Sequence, residues 1–205
     1  MALHFKRANL SIDRIAGLVR TADSAVDLRN PHPEPKVPDR VKFSAERAAV
    51  GLLIVDKAKP TMIFTRRHPS IRFGNQYCFP GGKVDATDAS IEQTVLREID
   101  EEINLTASRY EFIGRLGQYY TQSGFCITPF VGIVAADYTV ALNPAEVSSL
   151  KEIPLIDLLD PGLYQLMKWG ANRAHYHFRL EDFDVSGPTV SMMINFSEIV
   201  SPCLP

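Results

Sequence analysis

"FPGGKVDATDASIEQTVLREIDEEINL" runs from Phe79 to Leu105 and joins a glycine pair to a segment that is both apolar-striped and strongly acidic. Within "ASIEQTVLREIDEEI" (Ala89–Ile103), Ile91, Val95, Ile99 and Ile103 recur every fourth residue, the spacing of one buried helix face. Asp88 or Ser90 suits the N-cap, where a short side-chain oxygen accepts a free first-turn amide. Glu98, Glu101 and Glu102 stand at i, i+3 and i+4, so their side chains share one arc beside the apolar stripe. Like charges at this spacing repel, and more strongly as water is excluded. Arg97 can pair with Glu101 one turn on, but one arginine leaves carboxylates over. Either the face is simply solvated, as acidic helix faces commonly are, or a divalent cation neutralises it. Mg2+ and Mn2+ prefer oxygen ligands and keep several waters, so carboxylates, a backbone carbonyl and a phosphate would make a suitable shell. The preceding "PGG" (Pro80–Gly82) reads as a turn whose glycines let the backbone approach a ligand closely, and this linkage favours the metal.

Strands flank this helix on both sides. "AAVGLLIVD" (Ala48–Asp56) is a continuous apolar run of strand length, and "TMIFTRR" (Thr61–Arg67) follows across a turn at "KAKP". The two read as a hairpin in a sheet covered on both faces. Beyond the helix, "YEFIGRLGQYY" (Tyr110–Tyr120) and "ITPFVGIVAA" (Ile127–Ala136) are strand-like and are joined by the polar turn "TQSG". "PLIDLLD" (Pro154–Asp160) and "PGLYQLMKWG" (Pro161–Gly170) suggest short helical pieces, while "HYHFRL" (His175–Leu180) alternates as a strand does. This order predicts an α+β fold, an α/β/α sandwich with a mixed sheet, and not a doubly wound parallel one.

Upstream, "LSIDRIAGLV" (Leu10–Val19) has the apolar spacing of a short amphipathic helix expected to pack on the main domain. "NPHPEPKVP" (Asn30–Pro38) carries four prolines and reads as an extended connector. The expected organisation is therefore an N-terminal helix and connector over 1–42 and the main domain over 43–205.

At 205 residues the chain can bury a core without disulfide or metal staples. Its net charge of −2 supplies no chain-wide attraction for nucleic acid or an anionic membrane, though a local site for a small anion stays open. Cys78, Cys126 and Cys203 are odd in number and lack CxxC spacing, which argues against a disulfide framework or zinc site and for a cytoplasmic setting. No apolar run approaches the roughly 18 residues of a membrane span, and "MALHFKRANL" lacks the apolar centre of a signal peptide.

The glycine pair and acidic helix together resemble the Nudix box, G-x5-E-x7-R-E-U-x-E-E-x-G-U, with Gly82 at its start, "REIDEE" (Arg97–Glu102) at its centre and Leu105 as the last aliphatic. The loop between Gly82 and Arg97 is one residue longer than the general pattern, Asp88 stands near the first acidic position, and Asn104 replaces the final glycine. That longer loop is similar to the coenzyme A diphosphatase branch, which "PGGKVDATDASIEQTVLREIDEE" follows through Lys83, Asp85, Asp88 and Thr94. "SGFCITPFVGIV" (Ser123–Val134) and "LNPAEVSSLKEIPLIDLLDP" (Leu142–Pro161) resemble further segments of that branch, so the similarity covers roughly Ala48 to Pro161. In "IRFGNQYCFPGG" (Ile71–Gly82), Gln76 is kept, but Phe73 replaces a histidine and Asn75 a glycine.

The resemblance implies metal-dependent hydrolysis of a diphosphate, with coenzyme A or its thioesters as the leading substrate and 4′-phosphopantetheine and adenosine 3′,5′-bisphosphate as products. It implies Glu98 and Glu102 as principal Mg2+ or Mn2+ ligands, Glu101 bound directly or through water, a Gly82 carbonyl in the shell, and Arg97 orienting Glu101 or Glu98. Glu146 in "NPAEVSS" is either the general base or an ordinary helix-start carboxylate. Gln76, Gly81, Gly82 and Lys83 are expected on the substrate. Arg66, Arg67 and Arg72 are candidates for holding phosphates, although arginines around a turn are commonly solvated. Tyr77, Phe73 and Phe125 suit either base stacking or packing, and His175 and His177, lacking a third ligand, read as structural groups. Two other functions compete: hydrolysis of another nucleoside diphosphate derivative such as ADP-ribose or NADH, and a non-catalytic binding module. The partner expected is a small diphosphate, with a homodimer allowed and neither nucleic acid nor membrane.

Overall fold

The computed structural model describes residues 10–169 and 173–203. Residues 1–9, which hold most of "MALHFKRANL", residues 170–172 ("GAN") and residues 204–205 lie outside them. In chain order the elements are α1 (Ile12–Thr21), α2 (Asp39–Phe43), β1 (Glu46–Asp56), β2 (Thr61–Arg67), β3 (Tyr77–Cys78), β4 (Gly81–Lys83), α3 (Ile91–Ile103), β5 (Tyr110–Arg115), β6 (Tyr119–Tyr120), β7 (Phe125–Ala135), β8 (Val147–Pro154), α4 (Leu155–Leu158), β9 (Tyr164–Trp169), β10 (Arg173–Leu180), β11 (Phe183–Ser186) and α5 (Gly187–Val200).

β1 organises the larger sheet. It pairs in parallel with β7 along its whole length, from Glu46 opposite Phe125 to Asp56 opposite Ala135. Its other edge is shared, antiparallel, by β2 near Ile54 and by β4 near Ala49. β8 joins β2, β3 adds to the end of β2, and β5 and β6 pair with β7. The sheet is thus mixed, as the element order predicts. β1 is a continuous apolar run because both of its faces are covered. Ala49, Leu53 and Val55 pack with Val95, Ile99 and Ile103 of α3 on one side. Leu52 and Ile54 pack on the other with Ile15 and Val19 of α1, Phe196 of α5 and Phe178 of the small β9–β10–β11 sheet. Helices therefore lie on both faces of the sheet.

α3 forms where the periodicity places it. Ser90 is the N-cap, its hydroxyl accepting the Gln93 amide at 3.1 Å, and Val95, Ile99 and Ile103 are fully buried. Asn104 ends the helix in the left-handed region at φ 49°, and its amide returns to the Asp100 carbonyl at 2.8 Å. A residue able to adopt that conformation is what the end of the helix needs, which explains asparagine where the box has glycine.

Three segments depart from the sequence reading. "PGLYQLMKWG" is not helical beyond one short turn: Tyr164–Trp169 is strand β9, hydrogen-bonded to β10 with Leu166 opposite Tyr176. The partner strand, which lies further along the chain, decides its conformation, since propensity in strands yields to pairing context. "YEFIGRLGQYY" is two strands, broken where Leu28 donates its amide to the Gln118 carbonyl at 2.8 Å. "PGG" leads into strand β4 and not a free turn.

The proline connector, though irregular, is fastened down. His32 is buried, accepts the Tyr176 amide on Nδ1 at 3.0 Å, and places Nε2 3.0 Å from the Ser191 hydroxyl of α5. Asn195 of α5 bonds both the amide and the carbonyl of Arg29. No helix among the described residues is long and apolar enough to cross a membrane.

Candidate active site

α3 presents Glu98 and Glu102 on one side of its buried stripe, and Glu146 arrives from the loop that precedes β8. Oxygens of these three carboxylates lie within 4.8 Å of one another. Glu102 is 3% exposed. Burial, reinforced by the neighbouring Glu98 charge, pushes its pKa up to about 8, against the opposing pull of Arg67 and the Gly81 amide. Burial likewise raises Glu98, with Arg97 opposing and Glu101 and Glu146 adding to the rise. The site thus crowds carboxyl groups where water is scarce, which holds Glu102 protonated at neutral pH in the absence of a cation.

Two glycines let the backbone close over this cluster. Gly81 has φ 144°, and a Cβ there would lie 2.3 Å from the Ala49 carbonyl of β1. A Cβ on Gly82 would lie 2.4 Å from the Glu98 carboxylate. The expected close approach is therefore present, made by a strand edge.

Arg97 is the hub beside the cluster. Its Nε and Nη2 donate to the two Asp88 oxygens at 2.9 and 3.0 Å, its Nη1 to Glu98 and Glu101 at 2.9 Å each, and its Nη2 also to the Lys83 carbonyl at 3.0 Å. The guanidinium holds the Asp88 carboxyl well below the usual carboxylate range, helped by the Asp85 amide and the Thr94 hydroxyl. Asp88 is thus the clamp on Arg97, while Ser90 takes the cap. Glu101 is exposed on the Arg97 side, outside the compact trio.

The remaining candidates divide between the two faces of the sheet. Along β2, Ile63 and Thr65 point toward α3, and the Thr65 hydroxyl is 3.5 Å from Glu102. The β2–β8 register shifts between Arg66 and Arg67, and it is the pull of Arg67 on Glu102 that sets it on the α3 side. Arg66 faces away: its Nε donates to the Asn75 carbonyl at 3.2 Å and its guanidinium lies 5.6 Å from the Tyr77 ring. Arg72 lies over Phe73 and near Phe125, at 4.7 and 5.9 Å. Gln76 is exposed, with its carbonyl accepting the Arg67 amide at 3.0 Å. Lys83 pairs with Glu46 and stands 5.2 Å from Phe125. His177 pairs with Asp184 at 3.1 Å, and His175 stands beside His32, with ring centroids 5.0 Å apart; neither belongs to the acidic trio. Arg67 and Asn143 are the neighbours that sequence reading underweighted. Alternation separates Arg67 from Arg66 without saying which of them faces α3, and nothing local marks Asn143.

The donor set fits a hard divalent cation. Among the described residues the trio offers three carboxylates, and a cation would offset the burial and, secondarily, the mutual repulsion that raise Glu98 and Glu102.

A mixed sheet between helices sets an acid-lined helix against a glycine strand, a donor set suited to a divalent cation. A family model described as the NUDIX domain matches residues 45–173, and the chain belongs to that family, as a Nudix hydrolase. It is 37% identical over 134 residues to "Uncharacterized Nudix hydrolase NudL" of Photorhabdus laumondii, covering 65% of this chain and 72% of that protein. It is 34% identical over 180 residues to the protein of the same name from Yersinia pestis, covering 85% and 90%. Among solved structures, the MutT protein of Methanosarcina mazei superposes with a TM-score of 0.51 at 18% identity, over 77% of this chain and 94% of that one, a likeness of fold.

Proposed function

We propose that this Nudix hydrolase cleaves the diphosphate bond of coenzyme A or its thioesters, releasing 4′-phosphopantetheine or its acyl form and adenosine 3′,5′-bisphosphate. The observation that carries the chemistry is the trio Glu98, Glu102 and Glu146, with carboxylate oxygens within 4.8 Å of one another beside Gly82. The substrate assignment is supported by the branch-like segments "PGGKVDATDASIEQTVLREIDEE", "SGFCITPFVGIV" and "LNPAEVSSLKEIPLIDLLDP".

Glu98 and Glu102, with Glu101 through water and the Gly82 carbonyl, would hold Mg2+ or Mn2+. Such an ion supplies charge stabilisation at the phosphorus oxygens and acidifies a bound water. Arg97 holds Glu98 in place, itself fixed by Asp88. Glu146 takes the proton of the attacking water. Arg67, on the α3 side of β2, bears on the phosphates. The free thiols Cys78 and Cys126 suit a reducing, cytoplasmic setting.

A second reading has its own observation. The loop between β2 and β3 departs from the coenzyme A pattern at Phe73 and Asn75, both with positive φ, 60° and 66°. A loop altered in this way would permit another nucleoside diphosphate derivative, such as ADP-ribose or NADH. Incubation of the protein with coenzyme A, ADP-ribose and NADH, each with Mg2+ or Mn2+ and beside Glu102→Gln, separates the two by product mass. Phosphopantetheine that disappears in the variant supports the first reading. Cleavage of a different diphosphate, with coenzyme A untouched, overturns it.

A further inference from the structure

Glu146 reaches the acidic trio from a loop, and a carboxylate on a loop needs something to aim it. We propose that Asn143 is the positioning residue that sets Glu146 against Glu98 and Glu102; the inference rests on the reading of Glu146 as part of the active site. Asn143 contacts both sides of that arrangement. Its backbone amide donates to the Glu102 carbonyl at 2.9 Å, tying the loop to the last turn of α3. Its carbonyl accepts the amides of Glu146 and Val147, at 3.1 and 2.9 Å. Its side chain uses both ends of the amide: Oδ1 accepts the Ala145 amide at 3.1 Å, and Nδ2 donates to Glu146 Oε1 at 3.4 Å.

The surroundings fix this turn from other directions. The Ala141 amide donates to the Ile103 carbonyl at 3.0 Å, and the Glu146 carbonyl accepts the His68 amide at 2.7 Å. Pro144 locks its own φ and restricts Asn143. Among the described residues, however, only Asn143 bonds the Glu146 carboxylate while being anchored to Glu102 itself. The Asn side chain is suited to this because it offers an acceptor and a donor together. An aspartate would serve the turn equally well through its acceptor oxygen but would bring a second carboxylate against Glu146.

That difference gives the test. Asn143→Asp, Asn143→Ala, Glu146→Gln and the double variant Asn143→Ala/Glu146→Gln are compared in the full chain for kcat and KM on coenzyme A, or on whichever diphosphate the wild type cleaves. Mn2+ binding, followed by the free-ion spin resonance signal, and the thermal midpoint are measured alongside. Whichever of kcat and Mn2+ binding Glu146→Gln lowers, Asn143→Ala should lower in the same sense, by about 10-fold or more, with KM little changed. The double variant should fall no further than Glu146→Gln. Asn143→Asp should be at least as impaired as Asn143→Ala at an unchanged thermal midpoint. Wild-type behaviour of Asn143→Asp would reduce Asn143 to a turn former and overturn the inference, as would losses that multiply in the double variant. If Glu146→Gln itself changes nothing, the assignment of Glu146 falls first and takes this one with it.

Discussion

At the scale of single residues, adjacent glycines do different work. Gly81 sits at φ 144° against the backbone of β1, whereas the atoms nearest a Cβ on Gly82 are those of the Glu98 carboxylate, the far end of a side chain. Gly81→Ala should therefore cost about 1–3 kcal/mol of stability. Gly82→Ala should keep nearly the wild-type melting temperature and lose Mn2+ binding as its methyl group displaces the Glu98 carboxylate; melting curves and a Mn2+ titration on each variant check both statements.

Glu102 makes a pH signature. Its pKa rises from about 4.3 in an unfolded chain to about 8 in the folded one. Between those values the folded state holds a proton that the unfolded state has released. Metal-free stability should thus be undiminished below about 4.3 and fall as pH rises through about 8. Glu102→Gln should flatten that decline in a melting series run with chelator, and the stabilisation that Mn2+ gives the wild type should grow over the same range. A decline equally steep in the variant would show that Glu102 is not its source.

The same scale shows why some site residues were legible and others were not. Glu98 and Glu102 follow from helix periodicity. Alternation in β2 separates Arg67 from Arg66, but only the structure shows that Ile63 and Thr65 mark the α3 side. Asp88 offered two readings, cap or acidic partner, and only the position of Arg97 selects between them.

At the scale of elements, α3 carries its own start and stop. Ser90 caps it, and Asn104 closes it in the left-handed region that most residues avoid. Asn104→Ala should cost about 1 kcal/mol, while Asn104→Gly should be neutral or mildly stabilising; urea unfolding of the two variants distinguishes them. β9 shows the opposite situation. "YQLMKW" contains neither strict alternation nor a turn signal, and its strand form comes from the ladder it makes with β10. Such pairing stabilises through cross-strand neighbours, which a local window does not contain.

At the scale of the whole molecule, the N-terminal segment is built into the core. Ile15 of α1 is fully buried in the cluster that contains Phe64, Phe178 and Phe196, and His32 joins β10 to α5. Ile15→Ala should consequently cost about 2–5 kcal/mol, measured by urea unfolding, and the loss should appear in a single transition of the whole protein. A separate early transition would mean that α1 melts on its own. Composition and a proline-rich stretch suggest a spacer here, but they do not reveal that Tyr176, Ser191 and Asn195 fasten it.

The sequence by itself determined what depends on neighbours within a turn or two: the buried stripe of α3, the pairing of Glu98 with Glu102, the β1–β2 hairpin and the asparagine that replaces a terminal glycine. It also carried the family, through the spacing of glycine, arginine and glutamates. Only the tertiary structure decided which distant groups meet them. Glu146 stands in the acidic trio because β8 pairs with β2 and its preceding loop is tied to the end of α3. Helix periodicity is a local property, fixed by backbone geometry, but the encounter of segments far apart in sequence is set by sheet topology, which no short window specifies.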